Sequence, residues 1–346
     1  LKNVKTFSKL LGTNMIVGIK DVARVAGVSP ATVSRVLGRG TVSDELRALV
    51  EAAVRQTGYR PNLSARRLRS QHSQTIGLIV ADIRNPFFTA VSRAVEDEAY
   101  QAGLRVILCN TDENPEKEAL YLNLMEEERV TGVIFAPTRQ TAEAPSLHKR
   151  PYPMVLIDRA GPQGWEDAVV LDNFAAGMML VDHLYAQHYR RIGGLFGNAS
   201  TTGIERHQGY AAGLAKYGLP SHETFIAPSI EAAEMEITRQ IRERVLPEAI
   251  IASNGLLLMG VVRALRAAGL AMPEDLAVAG FDNESWTELA GPGLTVIEQP
   301  VERMGRAAMG MLLERLDDPA APTRKIVLGG HCIIRGSTAA RASVSG

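Results

Sequence analysis

The stretch that decides the reading runs Ile19-Lys20-Asp21-Val22-Ala23-Arg24-Val25-Ala26-Gly27-Val28-Ser29-Pro30-Ala31-Thr32-Val33-Ser34-Arg35-Val36-Leu37. Asp21 to Ala26 predicts a first short helix, with Val22, Ala23 and Val25 as its apolar residues, and Gly27 supplies a turn. Ser29 then stands as an N-cap with Pro30 at the first helical position, a pairing that satisfies an orphan N–H and pre-sets φ. A second helix over Pro30–Leu37 turns Val33, Val36 and Leu37 inward and leaves Thr32, Ser34 and Arg35 for an outer face. Ser43 caps a third helix, with Asp44 and Glu45 at its positive end and Leu46, Leu49, Val50 and Val54 as the expected inward stripe. Helix, glycine turn, helix is the helix-turn-helix pattern, in which the second helix enters a DNA major groove.

The charge agrees with a nucleic-acid partner. The 346 residues carry 38 Lys plus Arg and 38 Asp plus Glu, yet residues 1–75 hold thirteen basic side chains against four acidic ones. The first part is therefore +9 and the remainder −9, the asymmetry of a basic module that meets a polyanion, joined to a larger body. Lys2, Lys5 and Lys9 precede Met15, a candidate start, and without them residues 15–75 carry +6. Residues 1–18 are expected to form a disordered extension. Pro61 ends the third helix, and Asn62 can cap another of about eight residues, through Ala65, Arg66, Arg67 and Leu68 to Arg69, too short to be stable alone. Its arginines suit phosphates and Leu68 suits a minor-groove wedge; a solvated basic linker is the alternative.

Composition excludes several classes. At 46% hydrophobic and 22% charged the chain is globular, and its length implies two or three domains. No apolar run reaches the roughly 18 residues of a membrane span, and no secretion signal is evident, so a cytoplasmic protein is expected. Cys109 and Cys332 cannot build a disulfide framework or a four-ligand zinc site, and Cys109 is expected to be an inert buried thiol. His183 and His188 are expected to be solvated on a polar helix. There is no phosphate loop, no G-x-G-x-x-G opening a helix after the first strand and no G-x-S-x-G elbow. A turn at a strand end accounts for Gly193-Gly194-Leu195-Phe196-Gly197. These readings point away from an enzyme and call for no cofactor and no metal. A transport-binding protein would need a secretion signal and would have no use for the basic module.

From Thr75 onward the pattern alternates. Apolar runs at 76–80, 105–109, 132–136, 154–157, 169–171, 192–196, 249–252 and 277–281 read as strands, with helices at 87–102, 173–187 and 255–268 among those between. Buried strands separated by helices mean a parallel sheet covered on both faces. Two such blocks, divided near residue 160, suggest two α/β lobes. Ligands bind beyond the carboxyl ends of such strands, where Asp82, Asp112, Asp158, Asp172, Asn198, Asn254 and Asp282 lie. Asp158, Asp172 and Asp282 are the best ligand candidates, each as open to a structural role.

The quoted stretch, with Gly58-Tyr59-x-Pro61-Asn62 and Ala65-Arg66-x-Leu68, resembles the DNA-binding headpiece and hinge of the lac-repressor (LacI/GalR) family, and the resemblance extends to about residue 338. It implies a helix-turn-helix domain over 19–61, a hinge helix and linker over 62–74, a two-lobed α/β effector domain like the periplasmic binding proteins over 75–338, and a tail over 339–346. It implies a homodimeric repressor on a pseudo-palindromic operator, with Ser29, Pro30, Ala31, Thr32, Ser34, Arg35, Asn62, Ala65, Arg66 and Leu68 toward DNA. Asn85-Pro86-Phe87-Phe88, Thr202-Gly203-x-x-Arg206-x-x-Gly209-Tyr210 and Gly280-Phe281-Asp282-Asn283 look like the family's cleft motifs. They imply an effector site of Phe87, Phe88, Asp158, Thr202, Arg206, Asn254 and Asp282, with Gln299-Pro300 where strands cross between lobes. Aspartates that accept from paired hydroxyls, a forked arginine donor and a phenyl face suit a sugar, sugar acid or sugar phosphate. For a sugar acid, Arg206 with Arg159 would face the carboxylate. A purine-like ligand, or a cytoplasmic sugar-binding enzyme on the same fold, is the alternative. Two departures stand out: Asn254-Gly255 where the family often has Asn-Asp, and a tail without leucine heptads, which favours a dimer.

Overall fold

The protein is described by a computed structural model, which covers residues 18–37, 42–59, 73–144, 150–161 and 166–340. The described residues fall into two compact units, one before and one after the junction of Gln71 and His72. Most of the 62–74 hinge, the extension before residue 18 and most of the 339–346 tail lie outside the described residues.

The first unit is three helices: α1 (Ile19–Ala26), α2 (Pro30–Leu37) and α3 (Asp44–Thr57). Gly27 closes α1 in the left-handed conformation at φ 66°, which glycine adopts without a Cβ penalty. Ser29 Oγ accepts from the Thr32 N–H at 3.1 Å, so α2 begins at Pro30 as its cap dictates. Val22, Ala23, Val33, Val36, Val50 and Ala53 form the core. Leu49, expected inward, is instead 53% exposed. The buried face of α3 follows Val50 and Ala53, and Leu49 lies one residue before Val50, roughly 100° around the helix.

The second unit has two sheets. The first lobe contains β1 (Thr75–Val80), β2 (Arg105–Asn110), β3 (Gly132–Phe135), β4 (Met154–Ile157), β5 (Asp167–Leu171) and β11 (Lys325–Leu328), in the order β11-β5-β4-β3-β1-β2, all parallel. The second contains β6 (Ile192–Gly197), β7 (His222–Ile226), β8 (Ala249–Ala252), β9 (Ala277–Phe281), β10 (Thr295–Glu298) and β12 (His331–Ile333), in the order β12-β10-β9-β8-β6-β7, with only β12 antiparallel. The interior strands β1, β3, β4, β5, β6, β8 and β9 are buried throughout, which is why they read as unbroken apolar runs.

Helices α4 (Pro86–Gln101), α5 (Pro115–Glu127) and α6 (Arg139–Ala142) belong to the first lobe. The second holds α7 (Asn173–Ala186), α8 (Thr201–Lys216), α9 (Ile230–Glu243), α10 (Gly255–Ala268) and α11 (Ser285–Leu289). Helix α12 (Val301–Asp317) returns to the first lobe, where Met304, Ala308 and Leu312 pack with Val91 and Val95 of α4.

The division near residue 160 is corrected to Asp172, because β5 still pairs with β4 and the chain leaves the first sheet only after Leu171. The lobes are not contiguous in sequence either. The chain crosses at Asp172, again at Gln299-Pro300, and a third time between Leu328 of β11 and His331 of β12. Gly193 to Gly197 are not a turn but the body of β6. A Cβ on Gly193 would lie 2.8 Å from Pro247, and one on Gly194 would lie 2.4 Å from the Phe196 ring. His183 is not solvated: it is half-buried, its Nε2 is 2.8 Å from Thr338 Oγ1, and burial lowers its pKa. Cys109 is buried, and burial raises its thiol pKa.

Helices α7 and α8 cross closely at their glycines. A Cβ on Gly209 would sit 2.0 Å from the Phe174 carbonyl oxygen, and one on Gly177 would sit 2.3 Å from that of Arg206. Backbone cannot yield as a side-chain tip can. Gly209→Ala should therefore destabilise the body by about 1–3 kcal/mol, read as a lower midpoint in urea unfolding at unchanged slope.

Candidate ligand-binding cleft and DNA-reading helix

Both sheets end at one cleft, lined by side chains from both lobes. Apart from Arg206, on the second turn of α8, each lining side chain follows a strand or opens a helix. Asn85 Oδ1 accepts from the Phe87 N–H at 3.1 Å, and with Pro86 behind it this cap starts α4 so that Phe87 and Phe88 enter the cleft on its first turn. Their rings meet edge to face, centroids 5.1 Å apart. Ser200 Oγ caps α8 through the Gly203 N–H at 3.2 Å and lies 2.9 Å from Thr202 Oγ1. Asn254 Oδ1 caps α10 through the Leu257 N–H at 2.8 Å.

Asp158 and Asp282 occupy equivalent places in the two lobes. Each follows the third strand of its sheet order, β4 or β9, in the left-handed region, at φ 69° and 77°. Each donates its backbone N–H to the neighbouring strand at 3.0 Å, Asp158 to Val169 and Asp282 to Ile297. Asp and Asn tolerate this conformation better than other side-chain-bearing residues. Asp282 Oδ2 accepts from the Gly255 N–H at 2.9 Å and Oδ1 from Gln299 Nε2 at 2.6 Å.

Two buried guanidiniums face these carboxylates. Arg206 donates from Nε to Asn173 Oδ1 at 2.8 Å and from Nη1 to the Ser253 carbonyl at 2.5 Å. Its Cζ lies 4.1 Å over the Phe281 ring. Burial lowers its pKa, while Asp282 and Asp158 act in the opposite direction. Arg159 is already engaged: both Nη atoms reach Glu113, Nη1 also donates to the Pro137 carbonyl at 2.8 Å, and Nε lies 3.2 Å from Asp158 Oδ2. Its Nη atoms are thus taken up within the first lobe, while Nε is buried without a hydrogen-bond partner. Desolvation raises the Asp158 carboxyl pKa to about 6, with Arg159 and Arg206 opposing and Glu113 and Asp282 adding to the rise.

Phe87, Phe88, Asp158, Thr202, Arg206, Asn254 and Asp282 all line this one cleft. Asp172 does not; it caps α7 through the Ala175 N–H at 2.9 Å. Asp112 is bound by Lys117 and Asn110. Sequence reasoning missed Glu113, Ser200, Pro228 and Leu256, and took Gln299 only as a crossing point. The Ser200 cap was a readable signal; Glu113 and Gln299 enter through contacts with distant residues.

In the other unit, Ser29, Pro30, Ala31 and Arg35 are exposed, and Thr32 and Ser34 are half-buried on the same helix. The hydroxyls of Ser29 and Thr32 are 2.9 Å apart. Asn62, Ala65, Arg66 and Leu68 lie outside the described residues. Among the described residues no helix is long and apolar enough to cross a membrane.

Residues 18–62 match the family of bacterial regulatory proteins of the lacI type, and residues 181–338 match a periplasmic binding protein-like domain. The transcriptional regulator PtxS of Pseudomonas putida is 35% identical over 336 residues, covering 93% of this chain and 96% of PtxS. The lac repressor dimer bound to operator and an anti-inducer shares the fold, with TM-score 0.83 and 24% identity over 94% of this chain and 99% of that one. A complex of the regulator CelR with cellobiose superposes with TM-score 0.68 at 25% identity, over 93% and 99% of the two chains. The chain belongs to the lacI family and is a ligand-responsive, DNA-binding transcriptional regulator.

A raised carboxyl pKa has a definite sign in stability. The folded state holds the Asp158 proton more tightly than the unfolded chain, so this favourable term is complete below the ordinary value of 3.8 and lost as pH rises through about 6. Asp158→Asn should flatten that fall and raise the ligand-free Tm at pH 7.5 by about 2–4 °C or more, measured by thermal unfolding from pH 4 to 8. An unchanged pH profile would mean that Asp158 ionises without penalty.

Proposed function

We propose that this protein is a homodimeric repressor of carbohydrate-metabolism genes, whose affinity for a pseudo-palindromic operator changes when a sugar-like polyol enters the interlobe cleft. The observation that carries this reading is the pairing of Asp158 and Asp282 opposite Arg206 and the Phe87–Phe88 pair. Carboxylates accept from adjacent hydroxyls, the guanidinium donates to an oxygen, and the rings cover the apolar face of a pyranose. The cellobiose bound by CelR supports the class.

Charge favours a neutral polyol over a sugar acid or sugar phosphate. Asp82 is neutralised by Arg84 at 2.9 Å, which leaves Glu113, Asp158 and Asp282 against Arg159 and Arg206, a net −1 when all are ionised.

On the DNA side, Pro30, Ala31 and Arg35 on the exposed face of α2 would meet base edges, while Ser29, Thr32 and Ser34 position the helix. Asn62, Ala65, Arg66 and Leu68 would form a hinge that orders only when two protomers meet in the minor groove, with Leu68 as the wedge. Large apolar side chains left open on the edge strands, Leu108 on β2 and Phe225 on β7, suit burial against a second copy. Ligand that prefers one lobe arrangement would then shift operator affinity by its differential binding, about 1–3 kcal/mol.

Three measurements test this. In operator binding by fluorescence anisotropy, Arg206→Ala should bind operator but lose the polyol response; a retained response would overturn the pocket. Leu68→Gly should lose operator affinity by at least about tenfold yet keep polyol binding, with loss of both refuting the separation of roles. For the wild-type dimer, several phosphate contacts per operator should give a log–log salt slope of about −5 or steeper.

A further inference from the structure

A hydrogen bond joins the two lobes away from the three crossings. It runs from Arg139 Nη1 of α6, in the first lobe, to the carbonyl of Asn198, the residue after β6 in the second, at 3.3 Å. Both ends are held. Asn198 donates its N–H to the Ile226 carbonyl of β7 at 3.0 Å, which ties it to the end of the second sheet. Arg139 Nε donates to Glu143 Oε1 at 2.8 Å, one helical turn on, and this bond leaves Nη1 to reach across. The contact lies at the rim of the cleft. The Pro137 carbonyl, two residues before Arg139, accepts from the cleft-lining Arg159, and Ser200, two residues after Asn198, lines the cleft, whereas Arg139 and Asn198 themselves do not. Helix α6 has only four residues, too few to be stable alone. It is held from behind by Glu118, on the first turn of α5 and 2% exposed. Glu118 Oε2 accepts from the Thr138 N–H at 2.6 Å, and Oε1 accepts from the Thr141 hydroxyl. Burying a carboxylate is costly unless its oxygens are met, and here both meet one short helix, the one that carries Arg139.

We propose that Arg139 is a strap that holds the lobes together across the mouth of the cleft, with Glu118 as the buried post that keeps its helix in place. The strap acts whatever ligand enters, so it does not rest on the polyol reading. Its position gives it leverage. The strands beside the crossings are β5 and β11 in the first sheet and β10 and β12 in the second, at the first-named end of each order, while Arg139 follows β3 and Asn198 follows β6, further along. A bond set off from the crossings resists rotation of the lobes about them, as a bond at the crossings cannot. A charge-assisted bond open to water is weak, so it biases the lobes rather than locking them. Its loss should change the ratio of open to closed molecules by about three- to tenfold. A ligand that touches both walls needs the closed arrangement, and its apparent affinity scales with the fraction of molecules already closed. The strap raises that fraction before any ligand arrives.

The test measures lobe separation in the full chain without ligand. Spin labels are placed at Leu120→Cys on α5 and Val245→Cys after α9, both exposed and on different lobes, in a Cys109→Ala, Cys332→Ser background. Labelled chains are diluted into unlabelled ones so that an assembly carries one labelled pair. Pulsed dipolar spectroscopy then gives the populations of short and long distances. Arg139→Met, which keeps the stem and removes the donor, should raise the long-to-short ratio about three- to tenfold over the labelled parent. Arg139→Lys, which keeps the charge without the fork, should fall between the two. Glu118→Leu, which leaves Arg139 and Asn198 untouched, should raise the ratio as well; if that chain does not fold, Thr141→Val removes one of the two bonds to the post and serves in its place. Distance distributions that coincide in Arg139→Met and the parent overturn the strap. A shift in Arg139→Met with none in the Glu118 or Thr141 variant overturns the post and keeps the strap.

Discussion

The body of this protein is organised around burying charge. Arg159 and Arg206 are each 4% exposed, and Asp158 and Asp282 are 6% and 5% exposed, at the carboxyl ends of two sheets. An isolated charge there would cost several kcal/mol, so each must be met by fixed partners. The partners come from far apart in the chain: Glu113 and Pro137 for Arg159, Asn173 and Ser253 for Arg206, Gly255 and Gln299 for Asp282. Only a fold that brings the ends of β2, β4, β8, β9 and β10 to one place can supply them.

The three crossings give that requirement a mechanical form. Asn173, one residue past the first crossing, orients Arg206; Gln299, in the second, orients Asp282. Polar groups of the cleft are thus fastened to the segments about which the lobes would move. Close glycine contacts between α7 and α8 hold Arg206 on its side without slack. A ligand that replaced or completed these bonds would act on the connection between lobes as well as on either wall, the differential contact a population shift needs.

Much of this was legible in the sequence because caps and strand ends are local chemistry. Helix α2 begins at Pro30 because Ser29 precedes it, and α10 begins at Gly255 because Asn254 does. Six of the seven cleft residues follow a strand or open a helix at the same end of their sheets, and Arg206 joins them from the second turn of α8. Edge elements were not legible. Strand β7 is His-Glu-Thr-Phe-Ile, exposed or half-exposed throughout, and β12 has only three residues, so neither shows the apolar run of a buried strand. The contact of Gln299 with the cleft was hidden for a different reason, since it is a bond to Asp282, seventeen residues away. The partners of Arg159, Glu113 and Pro137, were likewise hidden, because they lie 46 and 22 residues away in the sequence.

The departure at Gly255 acquires a meaning from the same charge argument. A Cβ at this position would lie 3.3 Å from Asp282 Oδ2, while the Gly255 N–H donates to that oxygen at 2.9 Å. The aspartate that the family often carries here would bring a second carboxylate against the first and move the cleft from a net −1 to −2. Repulsion between two such groups raises the pKa of one of them and removes an acceptor at neutral pH. Glycine avoids this: it keeps the backbone donor, leaves Asp282 held between Gly255 and Gln299, and holds the cleft close to neutral. The whole chain repeats the pattern at a larger scale. Its zero net charge is a basic DNA-reading part set against an acidic body, and the body in turn encloses a nearly balanced set of buried ions. An acidic body would repel phosphates, and near-balance within the cleft would leave recognition there to hydrogen-bond direction rather than to net charge.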